Sequence, residues 1–266
     1  MCIGYAGWRI AVHSGERFRQ PSFVKQREFA MGVPRRFTIP NDCLSCTLMR
    51  SCDFCNLPPP LMTEFNAMGH LTLYPANATL LMKGQIPRGV YIACSGRSKL
   101  SVEARDGKTI ILKIAGDRQM LGLSAVVSGG PSLITVTTIE LCQIKFVERE
   151  SFLRLVERES QAALACATML AREVTTSFDD VYDLLLARSS TEKLARLLLS
   201  WVSDEPRNRE LRVSTEFTHE EIAQMIGSSR ETVTRLLGDM KRKDLIRLEG
   251  ATLVIPNRIA LQAIAA

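Results

Sequence analysis

The 266-residue sequence has no uninterrupted apolar run approaching the ~18 to 20 residues that a membrane-spanning helix needs. Its first residues, MCIGYAGWRIAVHSGERFRQ, carry apolar patches but no secretory core followed by a small-residue cleavage site. Both absences predict a cytoplasmic protein with no membrane partner. Histidine is scarce: His13, His70 and His219 form no cluster, which argues against haem. HExxH, GxSxG and the Walker lysine loop are missing, as is the CxxxCxxC run typical of radical iron–sulfur enzymes. With no substrate-pocket motif either, the chain reads as a non-enzyme.

Cysteine, by contrast, is plentiful. Four of the eight fall in CLSCTLMRSCDFC, as Cys43, Cys46, Cys52 and Cys55. In a chain read as cytoplasmic, that density favours metal or redox chemistry over disulfides. Thiolates this close can turn onto one small, soft inorganic centre. Two chemistries stay open on the residues alone, an iron–sulfur cluster and a four-thiolate zinc site. Structural zinc sites usually separate their CxxC pairs by ~12 to 20 residues, so the short gap here is tight for zinc. Cys2, Cys94 and Cys166 read as ordinary small residues, the last two in apolar surroundings.

The formal charge of +6 is unevenly placed. Residues 1–42 hold seven Lys/Arg and three Asp/Glu, and with Pro21, Pro34 and Pro40 they read as a flexible basic extension. Met31 is an alternative start. Residues 43–147 comprise the cysteine loop and a run of short β-prone segments: LTLYP, ATLLMKG, GVYIACSG, KLSVEARDGK, TIILKIAGD and LITVTTIELCQIKF. Asp106-Gly107 between two apolar runs is a hairpin signal. Many short strands at regular spacing predict an antiparallel jelly roll.

From residue 148 the period changes. Residues 148–187 contain no Pro or Gly and predict one long helix, on which Leu170, Val174, Phe178, Val181 and Leu185 form an a/d-like stripe. A narrow apolar seam of this kind predicts a homodimer. Asp179 and Asp180 beside it would bring like charges together across the dimer and make pairing conditional.

Residues 188–266 read as a winged helix-turn-helix. A helix carrying Leu194, Leu197, Leu198 and Trp201 precedes the polar break SDEPRNRE. Thr218-x-x-Glu221 is a capping box opening a helix with Ile222, Ala223 and Ile226 inside, and Gly227 ends it. Ser228-x-x-Glu231 reads as a second box, opening a helix with Val233, Leu236, Leu237 and Met240 inside. LIRLEGATLVIP then turns around Glu249-Gly250 as a β wing. Ser229, Arg230, Glu231, Thr234 and Arg235 point outward in the first two turns, where a recognition helix enters the major groove. Arginine can grip guanine O6 and N7, and glutamate can accept from cytosine N4. Lys241, Arg242 and Lys243 extend past them towards phosphates. Double-stranded DNA is the implied partner. Residues 217–266 hold seven Lys/Arg against six Asp/Glu, so specificity rests on base contacts more than on bulk charge.

In this order of strands, long helix and winged helix-turn-helix, the α+β chain resembles the CRP/FNR superfamily of bacterial transcription regulators over roughly residues 43–260. GSSRETVTRLLGDMKRKDLI and the AGD of 115–117 followed by LGLSAVVSGG carry the likeness. The resemblance implies a cyclic-nucleotide-binding-like sensor barrel and contact with RNA polymerase. The family's cyclic-AMP branch uses a glutamate soon after the GD turn and an Arg-Ser/Thr pair further on. GDRQMLGLSAVVSGGPSLITVTT has neither, which argues against cyclic AMP. The FNR branch carries Cys-x2-Cys-x5-Cys near the N-terminus and one distant cysteine. Cys43, Cys46 and Cys52 have that spacing, and Cys142 falls where the fourth is expected. The resemblance thus implies one [4Fe–4S] cluster per subunit on Cys43, Cys46, Cys52 and Cys142, dismantled by oxygen or nitric oxide, with Cys55 as an alternate ligand and zinc as the alternative metal. The reading helix departs from the FNR branch: Arg230 through Arg235 follow the CRP-type pattern, which implies a TGTGA-like inverted repeat.

Overall fold

The computed structural model describes residues 54–104, 106–186, 189–201, 211–214, 217–250 and 252–265. The expectations for residues 1–42 and for Cys43, Cys46 and Cys52 lie outside these.

The described chain opens with a 3-10 turn, Phe54–Asn56, and helix α1 (Pro59–Met68). Prolines at the first positions of α1 cost nothing, because those N–H groups have no intrahelical acceptor. Eight strands follow: β1 (Gly69–Tyr74), β2 (Thr79–Leu81), β3 (Gly89–Ser95), β4 (Ser98–Glu103), β5 (Thr109–Ala115), β6 (Met120–Leu121), β7 (Thr135–Thr138) and β8 (Cys142–Glu148), with a short helix α2 (Leu123–Ser128) after β6. They form two antiparallel four-stranded sheets, β1-β8-β3-β6 and β2-β7-β4-β5. Leu81, Val136 and Ala115 from one sheet and Ala93, Leu121, Cys142 and Ile144 from the other share one buried cluster. This is the expected jelly roll. The hairpin at Asp106-Gly107 joins β4 to β5, with the Lys108 N–H donating to Asp106 Oδ1 at 3.2 Å. LITVTTIELCQIKF divides into β7 and β8, which belong to different sheets.

Helices α3 (Arg149–Arg158) and α4 (Ser160–Leu186) replace the single long helix expected over 148–187. Glu159 takes extended backbone angles and interrupts it. The bend lets α3 bury Phe152 and Leu155, and α4 bury Ala162 and Cys166, against one cluster on the outer side of the first sheet.

The C-terminal part packs around its own cluster. It comprises α5 (Ser190–Ser200), β9 (Leu211–Ser214), α6 (His219–Ile226), α7 (Arg230–Arg242), β10 (Arg247–Glu249), β11 (Thr252–Ile255) and α8 (Arg258–Ala265). The wing is three-stranded, in the order β10-β11-β9, because β9 beyond the polar break adds to the expected hairpin. No described helix is long and apolar enough to cross a membrane.

Candidate nucleic-acid interface and effector site

The helix-turn-helix is built from local chemistry. The Thr218 hydroxyl accepts from the Glu221 N–H at 3.2 Å, while the Thr218 N–H donates to the Glu221 carboxylate at 3.0 Å. Gly227 closes α6 at φ 62, a left-handed conformation that glycine enters without a Cβ clash. The Ser228 N–H then returns to the Ala223 carbonyl at 2.9 Å, which uses Ser228 to finish α6. The cap of α7 is therefore Ser229, not Ser228: its hydroxyl accepts from the Thr232 N–H at 3.2 Å. Glu231 sits one position short of a capping-box partner. Its carboxylate is held below the usual range by its own N–H and by the Ser229 hydroxyl.

Ile222, Ala223 and Ile226 of α6 and Val233, Leu236, Leu237 and Met240 of α7 are buried, as their spacing predicts. Ser229, Arg230, Glu231, Thr234, Arg235, Lys241 and Arg242 are all exposed. Arg230, Glu231, Thr234 and Arg235 fall within the first two turns of α7, on the solvent side. His219 of α6 reaches Thr234 at 2.8 Å and braces that surface. Arg242 is paired with Asp239 one turn back, which leaves Lys241 as the freer cation for a phosphate.

The helix-turn-helix also touches the barrel. Lys99 of β4 pairs with Glu221 at 3.4 Å, and the Arg97 guanidinium lies 5.7 Å from the Phe217 ring centre. Arg97 is itself held by Glu140, at 3.0 and 3.2 Å.

On α4 the exposed apolar stripe differs in register from the sequence expectation. Leu170 packs against the barrel cluster. The solvent-facing series starts earlier, at Leu164 (69% exposed), and passes through Ala167 and Ala171 to Val174 (56%) and Phe178 (60%). Its alternating steps of three and four continue in sequence to Val181 and Leu185. Side chains from Asp179 to Leu186, including Asp180, lie outside the described residues.

The pleat of β8 sends alternate side chains to opposite sides of its sheet. Cys142 and Ile144 point into the barrel. Val147, on the other face, belongs to the cluster of Phe54, Leu57, Phe65, Val90, Ile92 and Phe152. Phe54 packs on Phe65 at 4.8 Å and on Phe152 at 5.3 Å, so this one residue near the end of the cysteine run is anchored on the outside of the sheet. Cys142 is fully buried, and its Sγ lies 3.3 Å from the carbonyls of Arg97 and Glu140. Gly96, at φ +88, lies so close that a Cβ there would stand 2.7 Å from the Cys142 Sγ. Burial pushes the Cys142 thiol's pKa up, and the charges of Glu140 and Asp117 add to the rise. A metal needs a thiolate within reach. In this conformation Cys142 offers a protonated, enclosed sulfur on the face away from Phe54. Among the described residues, no three His, Cys, Asp or Glu are grouped to hold a metal ion. The four-cysteine run fits a thiolate-bound centre by its donor chemistry, and Cys142 as placed does not.

Lys145 is the functional candidate that sequence reasoning missed. It is 1% exposed, and on the outer face of β8 its Nζ donates to the Asn66 carbonyl at 2.9 Å and lies 5.7 Å from the Phe65 ring centre. In the alternation of CQIKFVE it reads as a solvent position. Phe65 and Asn66 of α1 help to cover it.

The stretch that would hold a nucleotide is apolar. Leu123 opens α2 from Gly122 and is buried among Val90, Ile92 and Val126. Arg149 donates to the Val126 carbonyl at 3.2 Å, which turns this nearby cation to capping α2.

Residues 71–159 match the cyclic nucleotide-binding domain, and residues 192–264 the Crp-like helix-turn-helix domain. A CRP-like cAMP-activated global transcriptional regulator of Mycobacterium tuberculosis is 29% identical over 193 residues, covering 71% of this chain and 86% of the relative. The cAMP-activated global transcriptional regulator CRP of Haemophilus influenzae is 26% identical over 198 residues, covering 74% and 88%. Two solved structures share the fold at a TM-score of 0.64. One is the c-di-GMP-responsive global regulator CLP of Xanthomonas campestris, at 18% identity over 75% of this chain and 100% of that one. The other is FixK2 from Bradyrhizobium japonicum, at 21% identity over 74% and 98%.

Proposed function

The chain belongs to the CRP/FNR family of DNA-binding transcription regulators, and we propose that it reads an inverted-repeat operator as a homodimer under the control of a thiolate-bound metal centre in its N-terminal cysteine run. The observation that carries the DNA reading is the exposed set Arg230, Glu231 and Arg235 at the start of a helix whose other face is fully buried. Arg235 and Arg230 suit guanine O6 and N7, Glu231 suits cytosine N4, and Lys241 suits a phosphate. The TGTGA-like half-site is the sequence they fit. Two copies, paired through the α4 stripe, would present these residues to major grooves one helical turn apart. RNA polymerase is the further partner by family.

The effector is not a cyclic nucleotide in this reading. A nucleotide phosphate needs an available cation at α2, where this chain has Leu123, Gly129, Gly130 and Pro131 and where Arg149 is already turned to the Val126 carbonyl. The run Cys43, Cys46, Cys52 and Cys55 supplies thiolates instead. A [4Fe–4S] cluster there would give oxygen or nitric oxide sensitivity, whereas zinc would give structural stability alone. A route from run to dimer is supported by one cluster, in which Phe54, within the run, and Leu57, just past it, pack with Ala162 and Cys166 of α4.

The test has two arms. Fluorescence anisotropy with a TGTGA inverted repeat should show tight, salt-dependent binding, and preference for a TTGAT repeat would refute the base assignment. Anaerobically purified protein should be brown and hold iron and sulfide; a colourless protein with one zinc per chain would replace the cluster with zinc. Saturable cyclic-AMP binding would overturn the effector reading.

A further inference from the structure

We propose that Thr234 reads DNA through its methyl group, by contact with the 5-methyl of a thymine, and that His219 is the positioning residue that fixes that methyl. This rests on the reading of α7 as the recognition helix and adds one base preference to it.

A threonine hydroxyl has one proton to donate and two lone pairs to offer. On Thr234 the proton goes to the Arg230 carbonyl, one turn back, at 2.9 Å. Thr168, Thr175 and Thr176 of α4 make the same bond to the fourth carbonyl behind them, so by itself it is ordinary for a helical threonine. His219, the first residue of α6, brings a second bond from another helix, with its Nδ1 2.8 Å from the Thr234 Oγ1. Because the hydroxyl proton is already committed to the Arg230 carbonyl, the His219 Nδ1–H is the donor here. The oxygen is thus held from two helices and has no proton left for a base. Purine N7, guanine O6 and thymine O4 all accept hydrogen bonds, so Thr234 has nothing to give any of them.

The methyl is the group left over. Threonine is branched at Cβ, so a hydroxyl fixed in one rotamer fixes the methyl as well. Thr234 is exposed on the solvent side of α7. It stands one turn from Arg230 and Glu231 and directly before Arg235, so its methyl is an apolar spot among charged base readers. Thymine is marked in the major groove by its 5-methyl, and a threonine methyl is an apolar partner for it. The neighbouring arginines suit guanine, and in TGTGA each thymine of the half-site adjoins a guanine. A side chain already held in one rotamer also loses little freedom on contact.

The experiment measures anisotropy of the full-length protein on the TGTGA inverted repeat, with deoxyuridine replacing thymine at one position of both half-sites at a time. The replacement removes only the 5-methyl. Burying one methyl is worth about fourfold in affinity, so at the contacted position the doubly replaced duplex should bind about fifteenfold more weakly. This arm uses the wild type alone and needs no variant to fold. Thr234→Ser keeps the hydroxyl and deletes the methyl, and it should bind the thymine and uracil duplexes equally. His219→Leu removes the brace and should cut the thymine-to-uracil ratio to less than about half of the wild-type value, with affinity for a scrambled duplex unchanged. A loss of local structure alone would weaken all duplexes together and leave that ratio where it was. A wild type indifferent to uracil at every position, or a Thr234→Ser with the wild-type ratio, overturns the methyl contact. A His219→Leu with the wild-type ratio overturns the brace. Equal binding of the wild type to TGTGA and scrambled duplexes refutes the operator reading itself, and this inference with it.

Discussion

Truncating Phe178 to alanine should separate the dimer without unfolding the protomer. Phe178 is 60% exposed on α4, so only the smaller part of its surface contributes to the fold of one chain. Full burial of a phenylalanine side chain stabilises by up to about 3 kcal/mol, and covering the exposed share recovers about 1.5 to 2 kcal/mol. Each dimer buries two copies, for a loss of about 3 to 4 kcal/mol, or roughly a hundred- to a thousandfold in the dimer dissociation constant. Sedimentation equilibrium across a concentration series measures this, with a thermal melt of each variant at low concentration as the folding check. Leu133, 79% exposed in the segment between α2 and β7, is the control. Leu133→Ala should leave association unchanged. A dissociation constant within about threefold of wild type for Phe178→Ala, or an equal shift for Leu133→Ala, would refute the pairing of chains through the Leu164–Phe178 stripe.

Four further outcomes follow from the same geometry. Arg235→Ala should lose about 1 to 3 kcal/mol of discrimination between the TGTGA repeat and a scrambled site, read by anisotropy competition, while a Lys241→Ala change should weaken both sites alike. Thr218→Ala should cost about 1 kcal/mol in urea unfolding by removing the cap of α6. Glu221 gives a pH signature. Burial works to raise its pKa, but the Thr218 N–H and hydroxyl and the Lys99 ammonium together hold it below 4.5. A carboxylate lowered in this way stabilises the fold above its unfolded pKa and loses that contribution as pH falls through the folded value. The stability gap between wild type and Glu221→Gln should therefore be constant near neutral pH and close below about pH 4; a gap that widens in acid would contradict the assignment. Lys145→Ala should destabilise by about 2 to 4 kcal/mol, through the cavity and the lost hydrogen bond to the Asn66 carbonyl, in thermal or urea melts.

The helix-turn-helix was legible because its signals are local: a capping box, a glycine, and apolar residues at helical spacing. The slip from Ser229 to Ser228 shows the grain of that legibility. Two adjacent serines have the same capping chemistry, and the choice between them depends on whether the α6 terminus needs the Ser228 N–H, which it does. Helix α4 was harder because it carries two apolar faces. Leu170 and Leu164 are equivalent by composition, and only the presence of the barrel on one side tells them apart. The break at Glu159 left no trace of proline or glycine. It follows from tertiary packing, with α3 and α4 each bringing a buried face to the same cluster. On β8 the strand was readable but its sides were not, since both faces are covered. That ambiguity made Cys142 look available and Lys145 look solvated, when the one is enclosed in the barrel and the other roofed by α1.

The links between Arg97 and Phe217 and between Lys99 and Glu221 set how freely the reading head can turn. A largely buried ion pair of this length contributes about 1 kcal/mol and a cation over a ring about 0.5 to 1 kcal/mol. Together these amount to a few multiples of thermal energy, comparable to one or two phosphate contacts. The polar hold on the head is therefore a soft detent rather than a lock: an operator can draw the two heads into its own spacing, and rising salt loosens the detent and the DNA grip in the same direction.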